Sequence, residues 1–262
     1  MRPALRNTFL CALLLSIQGC PHRPPQIDPG SQIEDVQELL TAVRQQGEHL
    51  KSMRAIGSLV MRRGSKRLKA HIIVLVRRPA SLRFETESFF DQPLSILVTD
   101  GMQFSLWDMD KGRFLVGKAT PENISRVIPI PMDGPEVVGI LAGDPPLIPY
   151  ARAAMQWHPG KGRYAATLSN SRIQQKIFIH PHLLRPTLVT CHTGGKLFYR
   201  IEYEDFAKRT GGATVPRRIL FEMPAKNIRL RVRIREVEHN PDLTDDMFEL
   251  LPPDEIAIER LD

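Results

Sequence analysis

The sequence predicts a mainly β fold, in which a curved antiparallel sheet of about 11–12 strands forms an incomplete barrel with an N-terminal helix and short mid-chain lid helices. Three observations lead to this prediction. Apolar and polar residues alternate with a period of two from Met53 onward, turn pairs such as Asp100-Gly101 separate the runs, and the runs do not alternate with long helices as in a βαβ fold. A sheet of this width is not filled by its own side chains, so we expect a cavity or a plug on its concave side.

Residues 31–50 have the periodicity of an amphipathic helix. Ser31, with Glu34 three residues later, forms the capping-box pattern of a helix start. The apolar residues recur at spacings of three and four, which is typical of a helix with one buried face. They are Ile33, Val36, Leu39, Leu40, Val43 and Leu50. We therefore expect one helix to precede the sheet.

The predicted strands fall into two groups on either side of the middle of the chain. The first group covers residues 54–62, 68–77, 82–88, 94–99, 102–107 and 113–117. The second group covers residues 151–157, 163–169, 172–180, 184–192, 196–205, 215–223 and 227–238. The final run has the clearest alternation, with four arginines on the face opposite its apolar residues Ile228, Leu230, Val232 and Ile234.

Two short helices are predicted between these groups. Pro121 stands near the start of one, and residues 135–141 form the other, with Gly143 after its last turn. Proline at the start and glycine past the end suit short helices. We expect these helices to cover the concave face of the sheet.

The first twenty residues resemble a bacterial lipoprotein signal. Arg2 and Arg6 form a positive n-region, and residues 9–15 form an apolar h-region too short to span a bilayer. Gly19 is a small residue directly before Cys20, as in a lipobox. The resemblance implies that residues 1–19 are removed and that Cys20 is lipidated. An ordinary secretory peptide with an incidental cysteine, or a short signal anchor, is the alternative.

Residues 20–30 then form a proline-rich tether, and a single domain is expected over residues 31–262. The formal charge falls from +7 to +5 when two arginines and no acids leave with the signal. By analogy with enteric sorting rules, Pro21 in place of an aspartate suggests lipid anchoring at the periplasmic face of the outer membrane. Cys11 leaves with the signal and Cys20 carries lipid, so Cys191 has no partner for an intramolecular disulfide.

Lysine and arginine are concentrated in two places. One is residues 62–67, at the first predicted hairpin, and the other is the alternating series from Arg229 to Arg235. A basic surface attracts anionic lipid headgroups, and nucleic acid by the same physics. Export of the chain argues against nucleic acid. A solvated outer face of the sheet is the simpler interpretation.

Three stretches resemble the LolA/LolB half-barrel group, and LolB-like outer-membrane lipoproteins in particular. Residues 82–99, with Phe89-Phe90-Asp91-Gln92-Pro93 between two strands, are similar to the third strand, protruding loop and fourth strand of LolB. Residues 127–143 resemble its proline-rich turn and lid helix, and residues 246–252 resemble a closing motif of the group. LolB accepts lipoproteins from a soluble periplasmic carrier and inserts them into the outer membrane.

The resemblance implies a monomeric carrier, not an enzyme, that needs no cofactor or metal. It would hold lipoprotein acyl chains in an apolar cavity and meet outer membrane lipids and a LolA-like periplasmic carrier. The loop with Phe89, Phe90 and Leu94 would insert into the membrane, or its phenylalanines would fold back onto the rim of the sheet. The predicted cavity residues, which an ordinary core would use as well, are Leu82, Phe84, Ile96, Val98, Phe104, Leu106, Phe114, Val116, Val137, Val138 and Leu141.

Two other interpretations stay open. A lipid- or lipoprotein-binding envelope sensor, similar to the RseB-like regulators, would act by protein contact on a related half-barrel. A zinc site would combine His180 and His182 with Cys191 and His192, although their spacing matches no closed zinc site and no carboxylate completes the set. The sequence contains no Ser-His-Asp elbow, glycine-rich phosphate loop or HExxH motif, which argues against an enzyme.

Overall fold

The computed structural model describes residues 33–88, 90–127, 130–208, 214–254 and 256–261. Within these ranges, the helices are α1 (Val36–Glu48), α2 (Pro121–Val127) and α3 (Gly134–Ala142). The strands are β1 (Ser52–Arg63), β2 (Lys66–Arg77), β3 (Ser81–Glu87), β4 (Pro93–Thr99), β5 (Gln103–Asp108), β6 (Arg113–Lys118), β7 (Arg152–His158), β8 (Arg163–Ser169), β9 (Ile173–His180), β10 (Arg185–Thr193), β11 (Lys196–Lys208), β12 (Thr214–Met223), β13 (Ile228–His239) and β14 (Ile258–Leu261).

These strands form one open, curved sheet. Its order is β14-β6-β5-β4-β3-β2-β1-β13-β12-β11-β10-β9-β8-β7, so the pairing of β1 with β13 joins the two groups of hairpins. The end strands β14 and β7 do not pair with each other among the described residues, which leaves the barrel incomplete. The predicted mainly β, incomplete-barrel fold is therefore confirmed, and the described sheet has 14 strands where about 11–12 were expected.

Strand β14 is the one that the sequence analysis missed, and it is parallel to its neighbour β6. It has four residues, which is too short for alternation to reveal a strand. Its partner β6 contains Gly117, where a Cβ atom would lie 2.6 Å from the backbone oxygen of Leu261. The absent side chain therefore allows the last strand to approach β6.

Helix α1 begins later than the capping-box pattern predicts. It starts at Val36, after Asp35, whose carboxylate accepts hydrogen bonds from the backbone N–H groups of Gln37 at 2.8 Å and Glu38 at 2.9 Å. Asp35 is therefore the N-cap. Ser31 lies outside the described residues. The expectation that residues 33–35 belong to the helix is wrong, because the Asp35 carboxylate satisfies the free N–H groups of a first turn that begins at Val36.

Strand β13 shows how the sheet separates its two faces. Ile228, Leu230, Val232 and Ile234 are buried, and the arginines at alternate positions are exposed, as predicted. The pairing with β1 is interrupted by a bulge at Gly57, where a Cβ atom would lie 2.2 Å from the backbone oxygen of Arg233. Only glycine permits this close approach of the two backbones.

Helices α1 and α3 both lie against the sheet, over different strands. Helix α1 contacts β7 and β10, whereas α3 contacts β2, β3 and β12. Strands β3 and β12 are separated in the sheet by β2, β1 and β13, so α3 crosses the middle of the concave face. The main core cluster lies beneath both helices and includes Leu39 of α1 and Val138 of α3.

The C-terminal segment covers part of the opposite, convex face. Leu243 and Phe248 pack against Val98 of β4, and Ile96 of the same strand contacts this cluster. The Arg77 guanidinium lies 4.8 Å from the centre of the Phe248 ring and donates to the Leu243 carbonyl oxygen at 2.9 Å. Strand β4 is therefore covered on both faces.

Several predictions concern residues outside the described ranges. The signal at residues 1–19, the lipidated Cys20, the tether at residues 20–30 and Phe89 all fall there and stay predictions. In the part of the chain that the structure describes, no helix has the length and apolar character needed to cross a bilayer.

Candidate functional site

An apolar hollow of about 150 Å³ lies between helix α3 and the concave face of the sheet. Helix α3 and the segment before it cover the hollow with Ile130, Val137, Ile140 and Leu141. The sheet contributes side chains from β1–β5, β12 and β13. These are Leu59, Met61, Leu68, Phe84, Thr86, Ser95, Leu97, Leu106, Ile219, Phe221, Leu230 and Val232.

The lining of the hollow is almost free of polar groups. Thr86 and Ser95 carry its polar side chains, and their hydroxyl oxygens are hydrogen bonded to each other at 2.8 Å. Because these hydroxyls satisfy one another, they do not need a polar ligand. None of the described lining residues is charged. The hollow can therefore bind a ligand by removing apolar surface from water, with no covalent chemistry.

The size of the hollow limits what it holds with α3 in this position. An apolar cavity of about 150 Å³ accepts a group as large as benzene. Pockets for larger ligands have volumes of about 300–1,000 Å³. A complete acyl chain therefore requires α3 and the segment around Ile130 to move away from the sheet.

The hollow reaches the surface beside Leu68, which is 37% exposed. Strand β2 extends beyond β3 at this end, because their pairing begins with His71 opposite Glu87 and leaves residues 66–70 without a β3 partner. We call the region around Leu68 the mouth of the hollow. It lies at the same end of the sheet as the β1–β2 turn.

The N-terminus of α3 is closed by a capping box. The Asp133 carboxylate accepts a hydrogen bond from the backbone N–H of Glu136 at 2.9 Å, and the Glu136 carboxylate accepts one from the backbone N–H of Asp133 at 3.0 Å. Burial raises the pKa of Glu136; the hydrogen bond from Asp133 lowers it and the Asp133 charge raises it. Proline at position 135 completes a strong local start signal.

The C-terminus of α3 is held by ion pairs, one of which involves a buried arginine. Gly143 ends the helix in the left-handed conformation, at φ 83°, and Asp144 follows it. The Asp144 carboxylate binds the guanidinium of Arg185 at 2.6 Å and also binds that of Arg78. Arg185 is only 1% exposed and donates a second hydrogen bond to the carbonyl oxygen of Ala142. This end of α3 is therefore fixed to strand β10.

The structure brings only part of the predicted cavity set to the hollow. Phe84, Leu106, Val137 and Leu141 line it. Leu82 and Val138 belong to the main core cluster, and Phe104 belongs to a second cluster with Leu97 and Leu106, but these three do not line the hollow. Contact between these four lining residues and an acyl chain stays a prediction.

The expected inner face of β4 is shifted by one residue. Ser95 and Leu97 line the hollow, whereas Ile96 and Val98 belong to the convex cluster. The strand register carries Phe114 and Val116 to the same side as Ile96 and Val98. A strand covered on both faces has apolar residues at consecutive positions, so its alternation does not reveal which face is inner.

The structure adds lining residues from strands distant in sequence. Leu59 and Met61 of β1 lie beside Leu230 and Val232 of β13. The alternation of β13 identified its apolar face, but the pairing of β13 with β1 has no local sequence signal. Long-range register therefore decides this part of the hollow.

The β3–β4 loop presents an aromatic side chain to solvent. Phe90 is 89% exposed, so it does not fold back onto the sheet, and Leu94 is half-buried. The Ser88 hydroxyl accepts hydrogen bonds from the backbone N–H groups of Phe90 and Gln92, both at 3.2 Å. The loop is therefore a defined turn in its described residues.

The residues considered for zinc lie apart. His192 of β10 pairs with Gln174, six positions along β9 from His180, which corresponds to about 20 Å. Cys191 is buried, and burial raises the pKa of its thiol, while a hydrogen bond with Tyr199 lowers it. Among the described residues, the structure does not bring His180 and His182 into one site with Cys191 and His192.

Comparison of the sequence with protein-family models and with curated proteins finds no match. Solved structures do match the fold. A domain named for outer membrane lipoprotein sorting, from Vibrio parahaemolyticus, superposes with a TM-score of 0.54 at 6% identity, over 82% of this chain and 97% of its own. A DUF1329 family protein from Desulfovibrio piger gives 0.57 at 9% identity, over 83% of this chain and 98% of its own.

A third structure carries the name of the group that the sequence resembles. A LolA superfamily protein from Nitrosomonas europaea superposes with a TM-score of 0.56 at 11% identity, covering 81% of this chain and 97% of its own. Identities this low speak to the fold alone. The chain has a LolA/LolB-like half-barrel fold.

Proposed function

We propose that this chain is an outer-membrane lipoprotein that accepts other lipoproteins, or their acyl chains, and helps to insert them into the outer membrane. The observation that carries the proposal is the apolar hollow beneath α3, which has no charged lining residue among those described. The names of the similar structures from Vibrio parahaemolyticus and Nitrosomonas europaea support a role in lipoprotein sorting. The function is binding and transfer, not catalysis.

Helix α3 acts as the lid in this proposal. Its C-terminus is anchored through Asp144 and Arg185, whereas its side chains Val137, Ile140 and Leu141 meet the hollow by apolar contact alone. Apolar contact is not directional, so an acyl chain can replace the α3 side chains as a partner for the sheet. The helix then swings about the Gly143-Asp144 end.

The energetics favour delivery to the membrane. Each methylene group hidden from water contributes about 0.8 kcal/mol. The hollow of about 150 Å³ shelters only part of an acyl chain unless α3 moves, whereas a bilayer shelters all of it. Moving α3 costs free energy that is recovered on release. The carrier therefore binds acyl chains less tightly than the membrane does.

The N-terminal residues supply the location in this proposal. Residues 1–19 are the signal, Cys20 carries the lipid, residues 20–30 form the tether and residues 31–262 form the domain. Lipidation with two or more chains gives a stable anchor. The monomer receives cargo from a LolA-like periplasmic carrier, and the loop with Phe89, Phe90 and Leu94 enters the outer membrane.

Binding of a fluorescent fatty acid in solution tests the hollow. Leu68→Gln places an amide at the mouth, and we expect about tenfold weaker binding because part of an apolar contact is lost. Met102→Gln is the matched control, since Met102 is 75% exposed and does not line the hollow. Equal affinities for wild type and the Leu68 variant, or no binding by wild type, would contradict the proposal.

Depletion of the protein in its native host tests the cellular role. We expect other lipoproteins to be lost from the outer membrane, and expression of the wild-type chain to restore them. A chain with Phe89→Ser and Phe90→Ser is expected to bind the fatty acid and fail in delivery. Undiminished delivery by that variant would remove the loop from the mechanism, and unchanged lipoprotein location after depletion would contradict the transfer function.

A further inference from the structure

Cations are concentrated at the end of the sheet where the hollow opens. Strands β1, β2 and β13 contribute exposed basic side chains there, and we call them the basic patch. Its members are Arg62, Arg63, Lys66, Arg67, Lys69, Arg229 and Arg231.

The strand register places these cations side by side. Arg62 stands opposite Arg67 on β2 and opposite Arg229 on β13, and Arg63 stands opposite Lys66. Directly opposed side chains have Cβ atoms about 4.5–5.5 Å apart, and like charges in such pairs destabilise a sheet. An outer face that served only solubility would mix charges of both signs. The basic patch therefore costs stability that a ligand can offset.

Few acids neutralise the patch. Glu222 binds Arg229, and no other member forms an ion pair with a described residue. The sequence from residue 58 to residue 71 contains no aspartate or glutamate. The neighbouring strands differ, since Arg200 binds Glu202 and Arg218 binds Glu204 there.

Apolar groups are exposed beside the same cations. Leu68, at the mouth, lies between Arg67 and Lys69 in β2, and the loop with the 89% exposed Phe90 follows the end of β3 nearby. Asp91 of that loop lies 3.5 Å from His71 of β2, which brings the loop to the basic side of the sheet. Cations, an exposed aromatic ring and the mouth thus share one rim.

We infer that the basic patch docks on an anionic lipid surface, with the phosphate groups of the headgroups meeting the cations while Phe90 and the mouth face the bilayer. This inference rests on the proposed function, which explains why the protein would dock on a membrane. The exposed Phe90 and Leu68 favour a bilayer over an acidic protein. Apolar side chains beside the cations can enter the hydrocarbon that lies beneath the headgroups. Docking in this orientation gives an acyl chain a short path from the hollow into the membrane.

Vesicle binding by the full chain carrying Cys20→Ala, which removes the lipid anchor, tests this orientation. We expect this chain to bind phosphatidylglycerol-containing vesicles more strongly than phosphatidylcholine vesicles and to lose the preference in high salt. Adding Arg67→Gln and Lys69→Gln is expected to weaken binding to the anionic vesicles by about 25-fold, at about fivefold for each charge.

The matched control is Lys51→Gln with Arg54→Gln, which removes the same charge from exposed positions at the opposite end of β1. We expect less than about a twofold change there, since these residues lie away from the patch. Equal effects of the two pairs, or no preference of the parent chain for anionic vesicles, would overturn the inference. The inference would also be overturned by a second result, in which the chain captures an acidic protein through Arg67 and Lys69 while the variant without these two charges still binds vesicles as strongly.

Fatty-acid binding in solution separates this inference from the function on which it rests. If the chain binds the fatty acid but its vesicle binding does not depend on the basic patch, the carrier function is supported and the docking surface is contradicted. If the chain docks on anionic vesicles but binds no fatty acid, the docking surface is supported and the carrier function is contradicted.

Discussion

The two helices on the concave face of this sheet cover it in different ways. Beneath the side of α1 that carries Leu39 the interior is filled, with Leu39 and Tyr164 almost completely buried. Gln175, which has no exposed surface, donates to the carbonyl oxygen of Pro146 at 2.7 Å and to the Tyr199 hydroxyl at 3.1 Å. Beneath α3, apolar side chains surround a hollow of about 150 Å³. Directional hydrogen bonds specify one arrangement around Gln175, whereas the apolar contacts around the hollow beneath α3 permit movement.

A crevice beside α1 strengthens this contrast. It is bordered by Arg44, Glu48, Arg78 and Asp144 as well as by apolar side chains. An acyl chain there would lie against charged groups and prevent water from reaching them, which costs free energy. Of these two spaces among the described residues, the one under α3 is better suited to hydrocarbon, because its lining carries no charge.

The largest expected effect concerns Asp144, where the two regions meet. Asp144→Asn leaves the 1% exposed guanidinium of Arg185 without its carboxylate, and we expect the free energy of unfolding to fall by about 3–5 kcal/mol. Asp245→Asn is the matched control, because the Asp245 side chain that binds Arg77 is 87% exposed, and a loss of at most about 1 kcal/mol is expected. Denaturant unfolding measures both. Similar losses would show that α3 is not anchored by buried charge.

Two leucine truncations compare the regions directly. Leu39→Ala removes a side chain with no exposed surface from the filled region, and the expected loss is near the upper end of about 2–5 kcal/mol. Leu141→Ala lies beside the hollow, where the side chain has fewer packing partners to lose, so a value near the lower end is expected. Fatty-acid binding is expected to strengthen only in the Leu141 variant. A larger loss of stability for Leu141→Ala would break the contrast.

Glu136 and Glu38 make a smaller comparison, in the first turns of α3 and α1. Because burial raises the pKa of Glu136, its contribution to stability is present below its ordinary pKa of 4.5 and is lost as the pH rises through the raised value. Glu136→Gln keeps an acceptor for the Asp133 N–H but has no carboxyl group to ionise, so it does not lose stability as the pH rises. Its stability relative to wild type is therefore expected to improve from acid to neutral pH.

Thermal unfolding across this pH range measures the effect, with Glu38→Gln as the control. Glu38 is exposed, and removal of its charge weakens its interaction with the α1 dipole by about 0.3–1 kcal/mol. A stability difference for Glu136→Gln that falls as the pH rises would contradict the burial of this carboxylate.

The smallest expected effect is on the chemical reactivity of Cys191, which belongs to the main core cluster. Cys191 is buried, and burial raises the pKa of its thiol, so little thiolate is exposed to a reagent. We expect slow modification of Cys191 by a maleimide in the native protein and rapid modification after unfolding. Mass spectrometry of the Cys20→Ala chain resolves the site. Rapid native modification would mean that this region opens readily.

The sequence by itself determined strands β1–β13, the apolar face of β13 and the helix α3. Alternation is a local property, and β13 carries it over its first seven residues, while Pro135 and Gly143 mark the ends of α3 within one short segment. Side-chain chemistry at fixed short spacings is enough for such elements. The mainly β half-barrel followed from these local patterns.

Only the tertiary structure decided which apolar residues surround the hollow. The C-terminal segment covers the convex face of β4 and reverses the expected roles of Ile96 and Leu97, and the pairing of β1 with β13 brings Leu59 beside Val232. The contacts between these strands join residues more than a hundred positions apart. A residue's own neighbours in sequence carry no information about such pairings, because hydrophobic burial depends on the area covered and not on which segment covers it.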